Sequence, residues 1–283
     1  MATFYNQATL SYSGGEVNSN IVTGELLEAL SASKTAVVDN YSDNSDVTYA
    51  INIINSGAAP VNGLTITDDL GAYTFGSNTL QPLDYVDGSV KYFVNGILQA
   101  SPAVVAGPPL VISGINVPAG GVVTVLYTAN TNEFAPLAAD GTIENTAVVA
   151  GNGITDITVN EIITAQTGPD LSITKSVSPA VVSGTGELTY TFVIENSGNT
   201  EATVADNIVV TDTFDPILSN ITVTYNGAVW SEPVNYTYDE TSGLFQTVGG
   251  QITVPAASYT QDATTGAWVV VPGTVILTVT GTV

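Results

Sequence analysis

The clearest signal along the chain is alternation. Val47, Tyr49, Ile51 and Ile53 are apolar or aromatic at a spacing of two, and Leu188, Tyr190, Phe192 and Ile194 repeat the pattern. A period of two puts one set of side chains on one face of a β-strand. Similar runs recur from end to end, separated by Gly, Asn, Asp and Ser, and no long helical period interrupts them. The pattern predicts an all-β chain.

Two of these runs are copies. Asp46-Val-Thr-Tyr-Ala-Ile-Asn-Ile-Ile-Asn-Ser-Gly57 aligns without a gap with Glu187-Leu-Thr-Tyr-Thr-Phe-Val-Ile-Glu-Asn-Ser-Gly198, an offset of 187 − 46 = 141 that also superposes Lys34 on Lys175. Further on, Leu64 to Asp68 aligns with Ile208 to Asp212. Asn95-Gly96 aligns with Asn226-Gly227, Val117-Pro118-Ala119 with Val254-Pro255-Ala256, and Gly121 to Asn130 with Gly273 to Thr282. Asn-Gly is a hairpin-turn signal in both copies. Short alternating strands with regular turns indicate two tandem immunoglobulin-like β-sandwich domains.

The copies differ at their ends. The first continues through Ile143 to Gly153 and a further strand to about Thr164, whereas the second reaches Val283 where that closing hairpin should begin. Asn6 to Gly15 is similar to Asn145 to Gly153, and Val17 to Thr23 to Ile157 to Thr164. The expected organisation is an N-terminal donor hairpin at 1–28, a first sandwich at 29–167 and a second at 168–283 lacking its closing strands. An incomplete sandwich has an open edge, and strand complementation by a neighbour's hairpin would close it. Donor at one end and acceptor at the other make a heterologous contact that propagates as a head-to-tail homopolymer. For the hairpin to dock on its own second repeat, it would have to cross about 40 Å of the first. A flexible N-terminal arm is the other plain alternative.

Composition narrows the function classes. The 26 acidic residues face three lysines, for a net charge of −23, which disfavours nucleic acid and anionic lipid as partners. With no Cys and no His, thiolate chemistry, disulfides and the commonest metal ligands are absent. No run is long enough for membrane insertion. Residues 1–6 do not read as a signal peptide; either a leader has been removed, or the protein leaves its cell by another route, which would suit assembly inside a cell that later lyses, such as a sporulating mother cell.

Strand parity places three polar residue types on inward faces. Lys34 shares a face with Leu30, Ala32 and Ala36, and Lys175 with Leu171, Ile173 and Val177. Asp68 follows Leu64 and Ile66, as Asp212 follows Ile208 and Val210. Asn145 lies with Ile143, Ala147 and Val149, as Asn6 lies with Phe4, Ala8 and Leu10. Burial lowers an amine's pKa and raises a carboxyl's. A neutral amine is a nucleophile, and a carboxylic acid beside an asparagine can polarise its carbonyl and move protons. Such a set can form a Lys–Asn amide with loss of ammonia, helped by proximity. The plainer alternative is a buried Lys–Asp ion pair with Asn as a hydrogen-bonding filler.

The opening Leu171-Ser-Ile-Thr-Lys-Ser-Val-Ser-Pro-Ala180, the strand Tyr190 to Asn199, the strand Val209 to Asp215 and the closing Glu144 to Gly151 together resemble the bacterial surface-repeat domain called domain of unknown function eleven. That resemblance spans nearly the whole chain, twice, and implies an immunoglobulin-like sandwich in a cell-surface or appendage protein. Lys early, Asp central and Asn late is separately similar to the triads of isopeptide-forming pilin and adhesin domains. Carried over, it implies a cross-link between Lys34 and Asn145 assisted by Asp68 within the chain. It implies a second between Lys175 and Asn6 of a neighbour, assisted by Asp212.

Other residues offer less. Asp39 to Asp46 is rich in oxygen ligands but lacks the calcium-loop pattern and reads as a solvated turn. Trp230, Trp268 and the tyrosines fit cores and cross-strand pairs better than sugar platforms. Gly184-Thr185-Gly186 and Gly249-Gly250 read as turns, and Lys91, with no repeat counterpart, reads as exposed. The acidic residues gather at no glycosidase-like site. The expected function is a structural subunit of a bacterial surface or spore appendage fibre, not an enzyme beyond autocatalytic bond formation, with no cofactor and no metal. A monomeric adhesin recognising a glycan or host protein is the rival, and a carbohydrate-active enzyme a more distant one.

Overall fold

The computed structural model describes residues 2–26, 30–151, 153–184 and 186–283. The expected boundary at 28/29 and Thr185 of the Gly184–Gly186 turn lie outside the described residues. Contacts divide the chain into two compact units, one of 1–39, 44–131 and 144–163, the other of 40–43, 132–143 and 164–283.

The chain is all-β, and the one helical turn among the described residues is a 3-10 turn at Val204–Asp206. In the first repeat, one sheet runs Ile97–Leu98, Lys91–Val94, Val122–Thr131, Asp46–Asn55, Leu30–Ala36, with Leu83–Tyr85 also pairing Val122–Thr131. The other runs Ala103–Val105, Leu110–Val117, Val61–Asp68, Thr142–Ala150, Ile157–Ala165, Asn40–Tyr41. The alternation predicted from sequence is the burial pattern observed: Val47, Tyr49, Ile51, Ile53, Val123, Val125 and Tyr127 are fully buried from one sheet, and Leu64, Ile66, Ile112, Ala147 and Val149 from the other. The two inner faces make one sandwich core, the packing of an immunoglobulin-like domain.

The second repeat rebuilds the first of these sheets. Leu171–Ser178, Glu187–Asn196, Gly273–Thr282, Ser219–Tyr225 and Ala228–Trp230 form five strands in that order. Both Asn-Gly turns adopt the left-handed conformation a tight hairpin needs, with φ of 49° and 79° at Asn95 and Gly96 and 48° and 80° at Asn226 and Gly227.

The covering sheet is where the copies part. In the first repeat Val61–Asp68 is central, flanked by Leu110–Val117 and Thr142–Ala150. In the second, the strand expected from Ile208 shrinks to Thr211–Thr213 and pairs with Leu244–Thr247 alone among the described residues. A strand is held by its neighbours as much as by its own residues, and here only one flank is paired among the described residues. Leu171–Ser178 is correspondingly exposed throughout. The expectation that Leu171, Ile173, Lys175 and Val177 point into a core is corrected by this exposure: they occupy the inner face, but Leu171, Ile173 and Val177 stay 39%, 53% and 41% exposed and the Lys175 side chain 40%, although it meets Asp212.

Residues 2–26 form a hairpin of their own. Ala2–Asn6 pairs with Val22–Leu26, and Thr9–Tyr12 with Gly15–Asn18. The register slips by one residue between the two halves, since Asn6 faces Val22 but Thr9 faces Asn18. Phe4, Tyr5, Leu10, Tyr12 and Val17 are each more than half exposed.

One asparagine pins each repeat. Asn55 donates through Nδ2 to the carbonyls of Ala59 and Pro118 at 2.8 and 3.0 Å, and accepts from Gly57 N. Asn196 donates to Thr200 and Pro255 at 2.8 and 3.1 Å, and accepts from Gly198 N and Asp170 N. Both are fully buried. An Asn196→Ala substitution strands several backbone groups and is expected to cost the second repeat about 2 kcal/mol or more. Both tryptophans lie in that repeat, so tryptophan fluorescence in guanidinium reads the change directly. An unshifted midpoint would show that the asparagine is dispensable.

Candidate cross-linking site

Four strands from two facing sheets converge on one polar cluster in the first repeat. Lys34 comes from Leu30–Ala36, whose other inward positions are Leu30, Ala32 and Ala36. Asp68 ends Val61–Asp68 after Leu64 and Ile66. Asn145 sits between Ile143 and Ala147 on Thr142–Ala150. Tyr127 occupies an inward position of Val122–Thr131 opposite Tyr49. Each residue is carried inward by the two-residue period of its strand, and the sandwich brings the four strand faces together.

Lys34 Nζ donates to Asp68 Oδ2 at 2.7 Å, and both side chains are completely buried. Tyr127 Oη donates to the same oxygen at 2.6 Å. Asn145 Nδ2 donates to Tyr127 Oη at 3.0 Å. Asp68 Oδ1 accepts from Leu70 N at 3.0 Å, which fixes the carboxylate plane. Asn145 Oδ1 is buried and has no hydrogen-bond partner among the described residues. The Tyr49 and Tyr127 rings stack at 5.4 Å, and Lys34 Nζ lies 4.9 Å from the Tyr49 centroid. The ring face gives the cation some of the stabilisation it loses with water.

The electrostatics follow from dryness. Burial pulls the Lys34 amine below its ordinary value, against the opposing attraction of Asp68. Burial, reinforced by the negative charge of Asp68, pushes the Tyr127 phenol well above its ordinary value. The neighbouring Asp69 is also raised, chiefly by burial. The cluster thus combines a lysine eased towards its neutral form, a carboxylate in contact with it, and a carboxamide with an uncommitted carbonyl oxygen. Those are the parts an amide-forming condensation requires.

Sequence reasoning did not single out Tyr127. Its parity marks it as core, and a tyrosine in a core column reads as packing. The available signal was its hydroxyl, since a buried tyrosine needs a partner for it.

The second set is differently placed. Lys175 forms an ion pair with Asp212, but its side chain is 40% exposed and that of Asp212 18%. Lys175 Nζ lies 4.5 Å from the Tyr190 ring centroid and 5.4 Å from that of Phe214. Val279 stands opposite Tyr190, where Tyr127 stands opposite Tyr49 in the first repeat. The stacking partner of Tyr190 is Phe214, at 4.7 Å, which brings no hydroxyl. In the first repeat Asp69 N donates to Thr146 O of the flanking strand, whereas its counterpart Thr213 N turns to Asp212 Oδ1. Asn6, the expected partner of this set, is exposed on the N-terminal hairpin.

Of the remaining candidates, Lys91 is exposed and donates to Gly88 O at 3.3 Å. Trp230 stacks on Tyr225 at 4.9 Å. Among the described residues, no three Asp or Glu side chains gather as a metal site, at 39–46 or elsewhere. No described helix is long and apolar enough to cross a membrane.

No family model matches the chain, and no curated protein matches it. Solved structures do. The major pilin subunit BcpA of Bacillus cereus is 10% identical with a TM-score of 0.36, over 96% of this chain and 73% of that one. The pilus backbone RrgB of Streptococcus pneumoniae is 14% identical with a TM-score of 0.35, over 86% of this chain and 55% of that one. The collagen-binding domain of a Staphylococcus aureus adhesin is 12% identical with a TM-score of 0.31, over 50% of this chain and 99% of that one.

Proposed function

We infer that this chain is a structural subunit of a bacterial surface fibre. In this reading it polymerises head to tail as each N-terminal hairpin completes the second repeat of a neighbour, and isopeptide bonds lock both repeats. The observation that carries the reading is the flank of Thr211–Thr213 that pairs with no strand among the described residues, at the place where Thr142–Ala150 flanks Val61–Asp68 in the first repeat. The hairpin is the natural occupant because its sequence is similar to that closing strand and its large apolar side chains are more than half exposed.

The internal repeat supplies a register. Ala147 faces Asp68 and Val149 faces Ile66. Aligning Asn6 with Asn145 therefore sets Ala8 against Asp212 and Leu10 against Val210, with Phe4 over the core. Gln7 O would then accept from Thr213 N, as Thr146 O accepts from Asp69 N. The added strand would cover exposed apolar surface at Ile173 and Val177, the usual driving force for such docking.

The covalent step is a condensation. In the first repeat the Lys34 amine attacks Cγ of Asn145. The Nζ–Cγ bond forms, the Cγ–Nδ2 bond breaks, and the nitrogen leaves as ammonia. At the joint, Lys175, Asp212 and the neighbour's Asn6 would do the same.

Intact mass spectrometry of the purified chain is expected to show the loss of one ammonia for the internal bond. Lys34→Met and Asn145→Ala should each restore the full mass. Each should also lower stability by about 4 kcal/mol, by analogy with the loop entropy a covalent staple removes. A full mass in the unsubstituted chain removes the isopeptide claim.

Electron microscopy is expected to show fibres, and boiling in detergent before electrophoresis to leave a ladder of multimers. Asn6→Ala should abolish the ladder while leaving the internal cross-link in place, and removal of residues 1–26 should abolish the fibres themselves. A monomer by sedimentation, with no fibres, overturns the polymer reading; if that monomer binds glycans, the binding-module alternative takes its place.

A further inference from the structure

In the first repeat a side chain outside the Lys, Asp and Asn pattern joins the two ends of the inferred cross-link. Lys34 Nζ donates to Asp68 Oδ2 at 2.7 Å, Tyr127 Oη donates to that same oxygen at 2.6 Å, and Asn145 Nδ2 donates to Tyr127 Oη at 3.0 Å. The result is one unbroken path from the attacking nitrogen to the leaving nitrogen. Valence fixes its directions. An ionised carboxylate has no hydrogen to give, so the single phenolic hydrogen goes to Asp68, and the phenol oxygen accepts from the amide NH2. At rest these bonds all point towards Asp68; once Asp68 holds a lysine proton and Cγ of Asn145 is tetrahedral, with a free lone pair on Nδ2, the two bonds through Tyr127 reverse, and the path then runs from where protons must be lost to where one must be gained.

We propose that Tyr127 is a catalytic residue of the cross-linking step, relaying a proton from Asp68 to the departing nitrogen of Asn145. This rests on the isopeptide reading above. The step balances as follows. The Lys34 ammonium gives one proton to Asp68, leaving an amine and a carboxylic acid. The amine nitrogen bonds to Cγ of Asn145 and sheds a second proton to Asp68, as Asp68 passes its first to Tyr127 Oη. Tyr127 passes its own hydrogen to Nδ2, which leaves with three as ammonia. Asp68 ends as a carboxylic acid, Tyr127 as a phenol, and Lys34 and Asn145 as one secondary amide.

The surroundings suit a relay. Burial and the charge of Asp68 keep the phenol protonated, so it can take one proton while giving another. Its ring is held against Tyr49, so the hydroxyl is fixed in place. The second repeat has no hydroxyl at this point, because Val279 replaces the tyrosine and Phe214 fills the stack. The relay is therefore specific to the internal bond, and the joint must react without it.

The test uses newly made chains from a timed cell-free synthesis, quenched in acid at intervals. Peptide mass spectrometry scores the Lys34–Asn145 linkage by its loss of ammonia. Tyr127→Phe keeps the ring and drops the hydroxyl, and is expected to slow linkage by at least about tenfold. The unsubstituted chain should react more slowly in D2O, and Tyr127→Phe should lose most of that isotope effect, which a change of packing alone would not remove. Should Tyr127→Phe fail to fold, 3-fluorotyrosine placed at position 127 keeps shape and hydroxyl but makes the phenol more acidic, and its linkage rate should shift. Linkage at the original rate in Tyr127→Phe, or in the fluorinated chain where the first does not fold, overturns the relay. Absence of ammonia loss in the unsubstituted chain overturns the isopeptide reading itself.

Discussion

An apolar sheet face has to be covered, and the difference between the two repeats follows from how far that requirement is met. Both repeats build the same primary sheet, with Tyr49, Ile51 and Ile53 in one place and Tyr190, Phe192 and Ile194 in the other. In the first, a six-stranded sheet lies over this face. In the second, three strands lie over part of it, and Leu171–Ser178 at the edge stays exposed. Uncovered strands with unpaired backbone groups are ready templates for another strand. The hairpin at 2–26 has the converse deficiency, with large apolar side chains that stay more than half exposed.

Coverage also decides what the two lysines are. Lys34 and Lys175 occupy matched positions on matched strands, and each pairs with the matched aspartate. Only Lys34 is dry, and burial draws its amine towards the neutral form. Lys175 keeps two fifths of its side chain in water. In the assembly inferred here, the strand that delivers Asn6 would also exclude water from Lys175. Docking and activation would then be one event, and an unassembled subunit would hold its joint lysine partly solvated. Such an arrangement would confine reaction to correctly seated partners.

Much of this was legible before any coordinates. Strand parity alone pointed Lys34, Asp68 and Asn145 to a common interior, because a two-residue period leaves only two faces to choose between. Parity names a face but not whether anything lies over it, which is why Lys175 and its neighbours Ile173 and Val177 were expected in a core and are exposed. The same limit explains Ile208 to Asp212, which matches Leu64 to Asp68 in sequence yet yields only Thr211–Thr213 as strand. Tyr127 was hidden for another reason. Its ring fits a core column as well as any aromatic would, and its hydroxyl gains meaning only once Asp68 and Asn145 are seen on either side of it.

As a stability device, the first cluster is poorly chosen. A buried ion pair of this kind is commonly matched or bettered by well-packed apolar residues, and the lone Asn145 oxygen adds the cost of an acceptor left without a donor. Condensation changes that balance. The lysine charge would disappear into a neutral amide, the orphan oxygen would become the oxygen of that amide, and one N–H would remain. Residues that are expensive as a resting arrangement become inexpensive as a product. In a chain with only three lysines, two lie against aspartates at matched inner positions, and that use of a scarce residue favours a reacting pair over a resting one.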